Sequence, residues 1–395
     1  MVKVASSTTQ HSHKPRILLL SDEYPPAGGG AGVIAKQVAH YLHRHHYPVT
    51  VISGDSGEKE TEFPHILVKQ QRLLWAMHYW NTLRQADTLE QYDVIILNDY
   101  LSAYLAGLCL PEHLLARCVM VVHGRDAFFY FHRQSKKHLL FQYQRYYART
   151  IKYCKKILHV SQYTQKQYLL DLPDAFTQMI NDKSQVCYAG IDYHKFSRSD
   201  VPTPTTLSAI PQQKRVLLSV SRLTKSKGYD DMLSSFKTLV TTSTTDYHWI
   251  IAGDGDYRDE FEQKIREYEL GQYITITGHL SQHELIPYYQ RADCFWLLSH
   301  HETCGLVYLE AAFFNLASIG YDRTGVKEAI HPGINGYFFS QNDNLESLIE
   351  KCMQLKITRT PHTICENYSI ECFVNHLVDR PVPTSHKQKN EALIP

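Results

Sequence analysis

Three short stretches of this chain place residue types that do chemistry at junctions between strand-like and helix-like segments. In the first, Gly28, Gly29, Gly30 and Gly32 lie where the chain passes from the apolar run Arg16-Ile-Leu-Leu-Leu-Ser21 into the helical spacing that begins at Ala31 and runs to Leu42. Glycines let backbone N–H groups approach an anion, and a helix start favours negative charge. The loop reads as a phosphate or sugar cradle, with a plain turn as the alternative. Its spacing is not G-x-G-x-x-G, which disfavours a dinucleotide enzyme. In the second, Arg222 and Lys227 stand five apart before Gly228, where a strand ends and a helix opens. A guanidinium forks onto phosphate oxygens and an ammonium adds a point charge. Together they suit a diphosphate; a solvated basic loop is the plainer reading. In the third, Glu302 and Glu310 bracket Gly305. Amides of Gly305, Leu306 and Val307 at a helix start can bind phosphate, and the two carboxylates can accept from sugar hydroxyls. Asp254-Gly-Asp256 is a D-x-D, a chelator in other enzymes, but after a strand it reads as a tight turn, and no metal site is expected.

The elements that must position these groups follow from hydropathy. Short apolar runs at Arg16–Ser21, Val49–Ile52, Val94–Leu97, Val119–Val122 and Ile157–Val160 alternate with helical patterns. After a Pro/Thr-rich stretch beginning Val201-Pro-Thr-Pro-Thr-Thr the alternation restarts, with runs at Val216–Val220, Trp249–Ala252, Ile274–Thr277, Cys294–Leu298 and Ala317–Tyr321. Strands alternating with helices predict parallel sheets covered on both faces, so the chain is α/β, with two Rossmann-like doubly wound domains. Expected boundaries are a tail at 1–14, a first domain at 15–200, a linker at 201–213, a second domain at 214–360, a helical segment at 361–380 and a tail at 381–395. Such sheets bind ligands beyond the carboxyl ends of their strands. Two facing each other would enclose a cleft.

Composition narrows the function. A length of 395 residues exceeds one ordinary core and suits two domains. With 43% apolar and 21% charged residues the chain is globular, and a formal net charge of +1 gives no sign of nucleic-acid binding. The 9 Cys are scattered, with no C-x-x-C, which suits core thiols in a reducing, cytoplasmic setting. The polar N-terminus lacks the apolar stretch of a signal peptide, and no segment is long and apolar enough to span a bilayer.

The order of motifs resembles the GT4 family of GT-B glycosyltransferases. It runs Pro25-Pro26 with Gly29-Gly30, Val122-His123-Gly124, Cys187-Tyr-Ala-Gly190-Ile-Asp192, Ser221-Arg222-Leu with Lys227-Gly228, and Ala252-Gly253-Asp-Gly255. Then come Thr277-Gly278-His-Leu, Glu302 to Glu310, Gly325 with Glu328, and Gly333-Ile-Asn-Gly336-Tyr. The resemblance spans nearly the whole chain and implies a retaining enzyme that moves a hexose-type sugar from a nucleotide-diphosphate donor. Arg222 and Lys227 would hold the diphosphate, Glu310 the ribose, and Glu302 the sugar, aided by amides of Gly305, Leu306 and Val307. Gly29 and Gly30 would approach the donor from the first domain, Gly253 and Gly278 would shape the donor side, and His123 would face the sugar or the acceptor. Departures from the usual pattern are Cys304 for Phe, Asn315-Leu316-Ala317 for Gly-x-Pro, Thr324 for the first Gly of a pair, and Tyr47-Pro48 for Gly-His.

By the same resemblance the segment 361–380 would cross back onto the first domain. No cofactor beyond the donor substrate is expected. The rival readings are a GT-B epimerase and a non-catalytic nucleotide-sugar binder. The acceptor would be a glycan or a lipid-linked molecule. No acidic residue occurs between Asp126 and Asp171, and Arg145, Arg149, Lys152 and Lys156 fall on one expected helical face. That face is expected to be either solvated or a peripheral contact with anionic lipid at the inner face of the membrane.

Overall fold

The computed structural model describes residues 14–26, 29–69, 75–85, 89–133, 135–196, 201–355 and 368–380. Gly28 and the two expected tails, apart from Lys14, lie outside them. The first sheet holds Ile17–Ser21 (β1), Val49–Gly54 (β2), His65–Val68 (β3), Val94–Leu97 (β4), Cys118–Val122 (β5), Lys156–His159 (β6) and Ser184–Val186 (β7). All pairs are parallel, in the order β3-β2-β1-β4-β5-β6-β7. The second holds Arg215–Val220 (β8), Tyr247–Ala252 (β9), Ile274–Gly278 (β10), Cys294–Leu297 (β11), Ser318–Tyr321 (β12) and Gly336–Phe339 (β13). Its parallel order is β10-β9-β8-β11-β12-β13.

In each sheet the chain winds outward from its first strand, then returns to pair on that strand's other side. The crevice where the winding reverses lies at the ends of β1 and β4 in one sheet and of β8 and β11 in the other. Ligands of doubly wound sheets sit at such points. The glycine loop follows β1, Asn98-Asp99 follows β4, Arg222 follows β8, and Ser299–Glu302 follows β11.

The central strands are buried on both faces. Every residue of β1, β4, β5, β9, β11 and β12 is buried, so these read as mainly apolar runs, with His248 in β9 and Ser318 in β12 the buried polar exceptions beside the terminal Ser21 of β1. The strands that the sequence pattern misses are β3, β7 and β13, all at sheet edges. They are only three or four residues long and partly exposed, with at most three consecutive apolar residues. Aromatic rings fill both cores. Tyr130 stacks on Tyr147 at 4.1 Å, and the Tyr147 and Tyr168 hydroxyls meet at 3.0 Å. In the second domain Trp249 and Trp296 cross at 5.0 Å, with the Trp249 indole donating to Ser219 Oγ.

Two expectations about the surface need correction. Residues 201–213, read as a linker from their Pro and Thr content, include the helix Thr205–Ser208, and Leu207 and Ile210 are buried in the second core. Pro204 stands at the N-cap of that helix. The basic face also breaks up. The helix Tyr143–Tyr153 ends before Lys156, which lies in β6, pairs with Asp379 and donates to the His376 carbonyl. Arg149 turns inward to the carbonyls of Gly107 and Leu110, both at 2.7 Å. Only Arg145 and Lys152 of the four remain exposed.

The helix Ile370–Leu377 packs on the first domain. Phe373, Val374 and Leu377 are buried among Ile34, Val38 and Leu42 of the helix Gly30–Arg44. Its approach is fixed by backbone bonds from Ile191 N to Tyr368 O (2.7 Å) and from Ile370 N to Ile191 O (3.1 Å). The crossing is close enough that a Cβ on Gly190 would lie 2.3 Å from Ile370 Cα. Gly190→Ala should therefore destabilise by about 1–3 kcal/mol through overpacking. Urea unfolding should show a lowered midpoint, and a midpoint equal to wild type would contradict this packing.

Candidate active site

The loops after β8 and β11 are held together before any side chain is considered. Gly228 takes φ +76°, and a Cβ there would lie 1.9 Å from the Leu298 carbonyl oxygen. Only glycine permits that approach. His300 N donates to Ser226 O at 2.9 Å. The result brings Lys227 Nζ to 2.5 Å from Glu302 Oε1, both side chains mostly shielded from water. The two residues assigned to diphosphate and sugar therefore face each other directly. Arg222 is exposed, and its Nη2 comes within 3.6 Å of where a Cβ on Gly29 would sit. The glycine loop of the first domain and the basic loop of the second thus meet across the cleft.

Gly305, at φ +69°, caps the helix Leu306–Phe313, so the amides of Leu306 and Val307 lie in its first turn, without intrahelical partners. Glu310 is buried one turn further on and accepts from Tyr289 Oη at 2.9 Å. Burial pushes its carboxyl up to about 7, against the hydrogen bond from Tyr289 and the charge of Lys195. Gly253 and Gly278 serve the scaffold beside this site. Gly253 N donates to Gly278 O at 2.9 Å, and a Cβ on Gly253 would lie 1.8 Å from Ser221 O. They let the ends of β8, β9 and β10 converge. Asp254 Oδ1 accepts from Gly255 N at 2.8 Å, the geometry of a tight turn, and Oδ2 pairs with Arg258. No cluster of three or more metal-ligating side chains occurs among the described residues.

The first-domain wall is acidic. Gly29 N donates to Glu23 Oε2 at 2.6 Å, which shapes the glycine loop, while Gly30 has open space where a Cβ would stand. His123 follows β5, and its Nε2 is buried without a partner among the described residues. Burial holds its pKa down to about 4, a backbone hydrogen bond to Asn98 opposing, so the ring is neutral near pH 7. The sequence reading missed two neighbours. Asp99 caps the helix Tyr100–Cys109 and is raised to about 6, first by burial, with the charge of Asp22 adding. Asp126 is raised to about 7 by burial and then by the charge of Asp99. The only sequence signal for Asp126 was its place three residues after His123, at a strand-to-helix junction. The cleft therefore sets the cations Arg222 and Lys227, with Glu302 and Glu310 beside them, against the carboxylates of Glu23, Asp99 and Asp126 on the other wall.

The Glu310 environment has a pH consequence. A carboxylate accepts two hydroxyl hydrogen bonds, whereas its protonated form donates one and accepts less well. Nucleotide affinity should rise as pH increases through about 7. Calorimetry with UDP, GDP and ADP between about pH 6 and 8 checks this against Glu310→Gln, whose affinity should be weaker and lack that rise. The same pH dependence in both proteins would remove Glu310 from nucleotide binding.

Comparison with known proteins bears on the family and the fold. Residues 207–369 match the family described as Glycosyl transferases group 1, and residues 28–194 match Glycosyltransferase Family 4. The chain is 24% identical over 189 residues to alpha-monoglucosyldiacylglycerol synthase of Streptococcus pneumoniae, covering 47% of this chain and 43% of that protein. The chain spans about half the length of the curated relatives it first matches, or less. Among solved structures it resembles Anabaena HepE in complex with UDP and glucose, with a TM-score of 0.68 at 16% identity over 92% of this chain and 98% of that one. Sucrose-phosphate synthase from Thermosynechococcus elongatus gives a TM-score of 0.73 at 16% identity, over 93% and 98%. At such identity the likeness establishes the fold, two Rossmann-like domains in the GT-B arrangement. With both halves matched in order, the chain belongs to the GT4-type glycosyltransferases.

Proposed function

We propose that the protein transfers a hexose-type sugar, with retention of anomeric configuration, from a nucleoside-diphosphate donor to a glycan or lipid-linked acceptor. The observation that carries this reading is the Lys227–Glu302 pair at 2.5 Å beside the exposed Arg222. A diphosphate entering between the domains competes for Lys227 and Arg222. Glu302 is then released to accept hydrogen bonds from the donor sugar. Departure of the diphosphate builds charge on its oxygens. Two cations and the first amides of Leu306–Phe313 are aimed where that charge develops, the largest usual term in such catalysis. Neutral His123, with a buried free nitrogen, is suited to a hydroxyl of the sugar or the acceptor. Arg222 and Lys227 supply the charge that a metal would otherwise bring, so turnover in the presence of a chelator is part of the proposal.

Replacing both Arg222 and Lys227 by Ala should remove charge-assisted contacts worth about 1.5–3 kcal/mol each in binding. Turnover should fall by orders of magnitude while the fold persists. The assay is nucleotide release from UDP-, GDP- and ADP-sugars, without added acceptor. Near-normal release by the double variant would refute the phosphate assignment. Nucleotide-sugar binding with no release by wild type would favour a binding protein, and a changed sugar with no release would favour an epimerase.

A second observation bears on the acceptor. Leu139 and Leu140 are 82% and 72% exposed, next to Lys136 and Lys137 on the helix Lys136–Leu140. Met77 and Trp80 are exposed on the helix Trp75–Gln85, whose Trp75 ring lies 6.3 Å from that of Phe141. Adjacent leucines beside lysines fit reversible docking on an anionic bilayer, in place of the dispersed basic face. The relative named as a glucosyldiacylglycerol synthase supports a lipid acceptor. A cytoplasmic setting with such peripheral contact is included in the proposal. Leu139→Ser with Leu140→Ser should reduce co-sedimentation with vesicles containing anionic lipid. Equal sedimentation of variant and wild type would leave this patch merely solvated.

A further inference from the structure

Glu328 lies in the short helix Val326–Ala329 of the second domain, yet its carboxylate is spent on the first. Oε2 accepts from Gln162 N and Oε1 from Tyr163 N, both at 2.7 Å. These are the first two amides of the helix Gln162–Asp171, donors that a helix leaves without internal partners. Ser161, the cap of that helix, donates its hydroxyl to the Thr303 carbonyl, so the next contact between the domains falls one residue after Glu302. Within the second domain Gly325 N donates to Glu302 O at 2.9 Å, and a Cβ on Gly325 would lie 2.4 Å from Thr303 O. Tyr368 adds its hydroxyl to the Glu328 carbonyl at 2.8 Å, tying the returning chain to the same unit. The loop bearing Glu302 is therefore clamped to one helix start of the opposite domain. A carboxylate on a helix N-terminus gains from the helix dipole as well as from the two hydrogen bonds.

We propose that Glu328 is a positioning residue for sugar transfer: by capping Gln162–Asp171 from across the cleft, it sets the distance between the donor loop and the acceptor wall. The inference rests on the transferase reading. Arg222, Lys227, Glu310 and the amides of Leu306 and Val307 all belong to the second domain, so nucleotide binding does not require the clamp. Transfer does, because His123 and the glycine loop must be held at bonding distance from the sugar, and small misplacements cost rate steeply.

Two variants of the full chain test this from opposite sides. Glu328→Gln replaces one acceptor oxygen by an N–H donor facing an N–H. Gln162→Pro deletes the amide that Oε2 accepts; proline is well tolerated at the first helical position, and the preceding Ser161 is already extended at φ −163° and ψ 164°. In both, kcat for whichever of UDP-, GDP- or ADP-glucose the wild type turns over should fall by about tenfold or more, the order expected from lost charge-assisted hydrogen bonds. The dissociation constant of the matching free nucleotide and the donor KM should hold, and small-angle scattering should show a larger radius of gyration. Weakening of nucleotide binding in step with kcat/KM would overturn the proposal, since Glu328 would then only brace the donor loop. Unchanged turnover and radius in both variants would overturn it as well. A wild type that binds nucleotide but turns over no donor refutes the transferase reading separately, and the scattering result still decides whether Glu328 holds the domains.

Discussion

The ion pair between Lys227 and Glu302 exists because β11 lies against β8. The two residues are 75 positions apart, and they meet only when the chain, having wound outward to β10, returns to the other side of β8. The pair is partly shielded from water, where desolvation offsets much of the attraction between isolated charges. Under the proposed function its geometry is that of an anion site closed by an internal carboxylate. The arrangement of glycines around it serves the same end: Gly228 at Leu298, Gly253 at Ser221 and Gly325 at Thr303 each allow a backbone approach that any side chain would block.

Much of this was legible in the sequence. The central strands declared themselves because burial on both faces demands continuous apolar runs, and the residues of the paired charges stood at strand ends where the topology puts ligands. The edge strand β10 was legible, but β7, half-exposed throughout, carries no such signature. Local pattern also misled where tertiary contacts decide. Arg149 and Lys156 read as a free basic face, but each satisfies carbonyls or a carboxylate distant in sequence. Asp99, Asp126 and the double amide contact of Glu328 were invisible for the same reason: their chemistry is set by neighbours dozens of residues away.

The cleft is electrostatically two-faced. The second domain brings Arg222 and Lys227 together with Glu302 and Glu310; on the first, burial raises Asp99 to about 6 and Asp126 to about 7, with the charge of Asp22 adding to the first and that of Asp99 to the second. Under the proposed function the phosphates meet Arg222 and Lys227 on the second-domain wall.

The return of the chain to the first domain changes what the second domain is. Because the helix Ile370–Leu377 buries Phe373, Val374 and Leu377 in the first core, the second Rossmann unit is an insertion within the first, tethered at both of its ends. A unit held by two neighbouring tethers swings like a door rather than tumbling like a bead on a string. Its range of motion collapses toward rotation about the line joining them. Loss of the last dozen described residues would therefore strip Phe373, Val374 and Leu377 from the core of the first domain, although they follow the second in the chain.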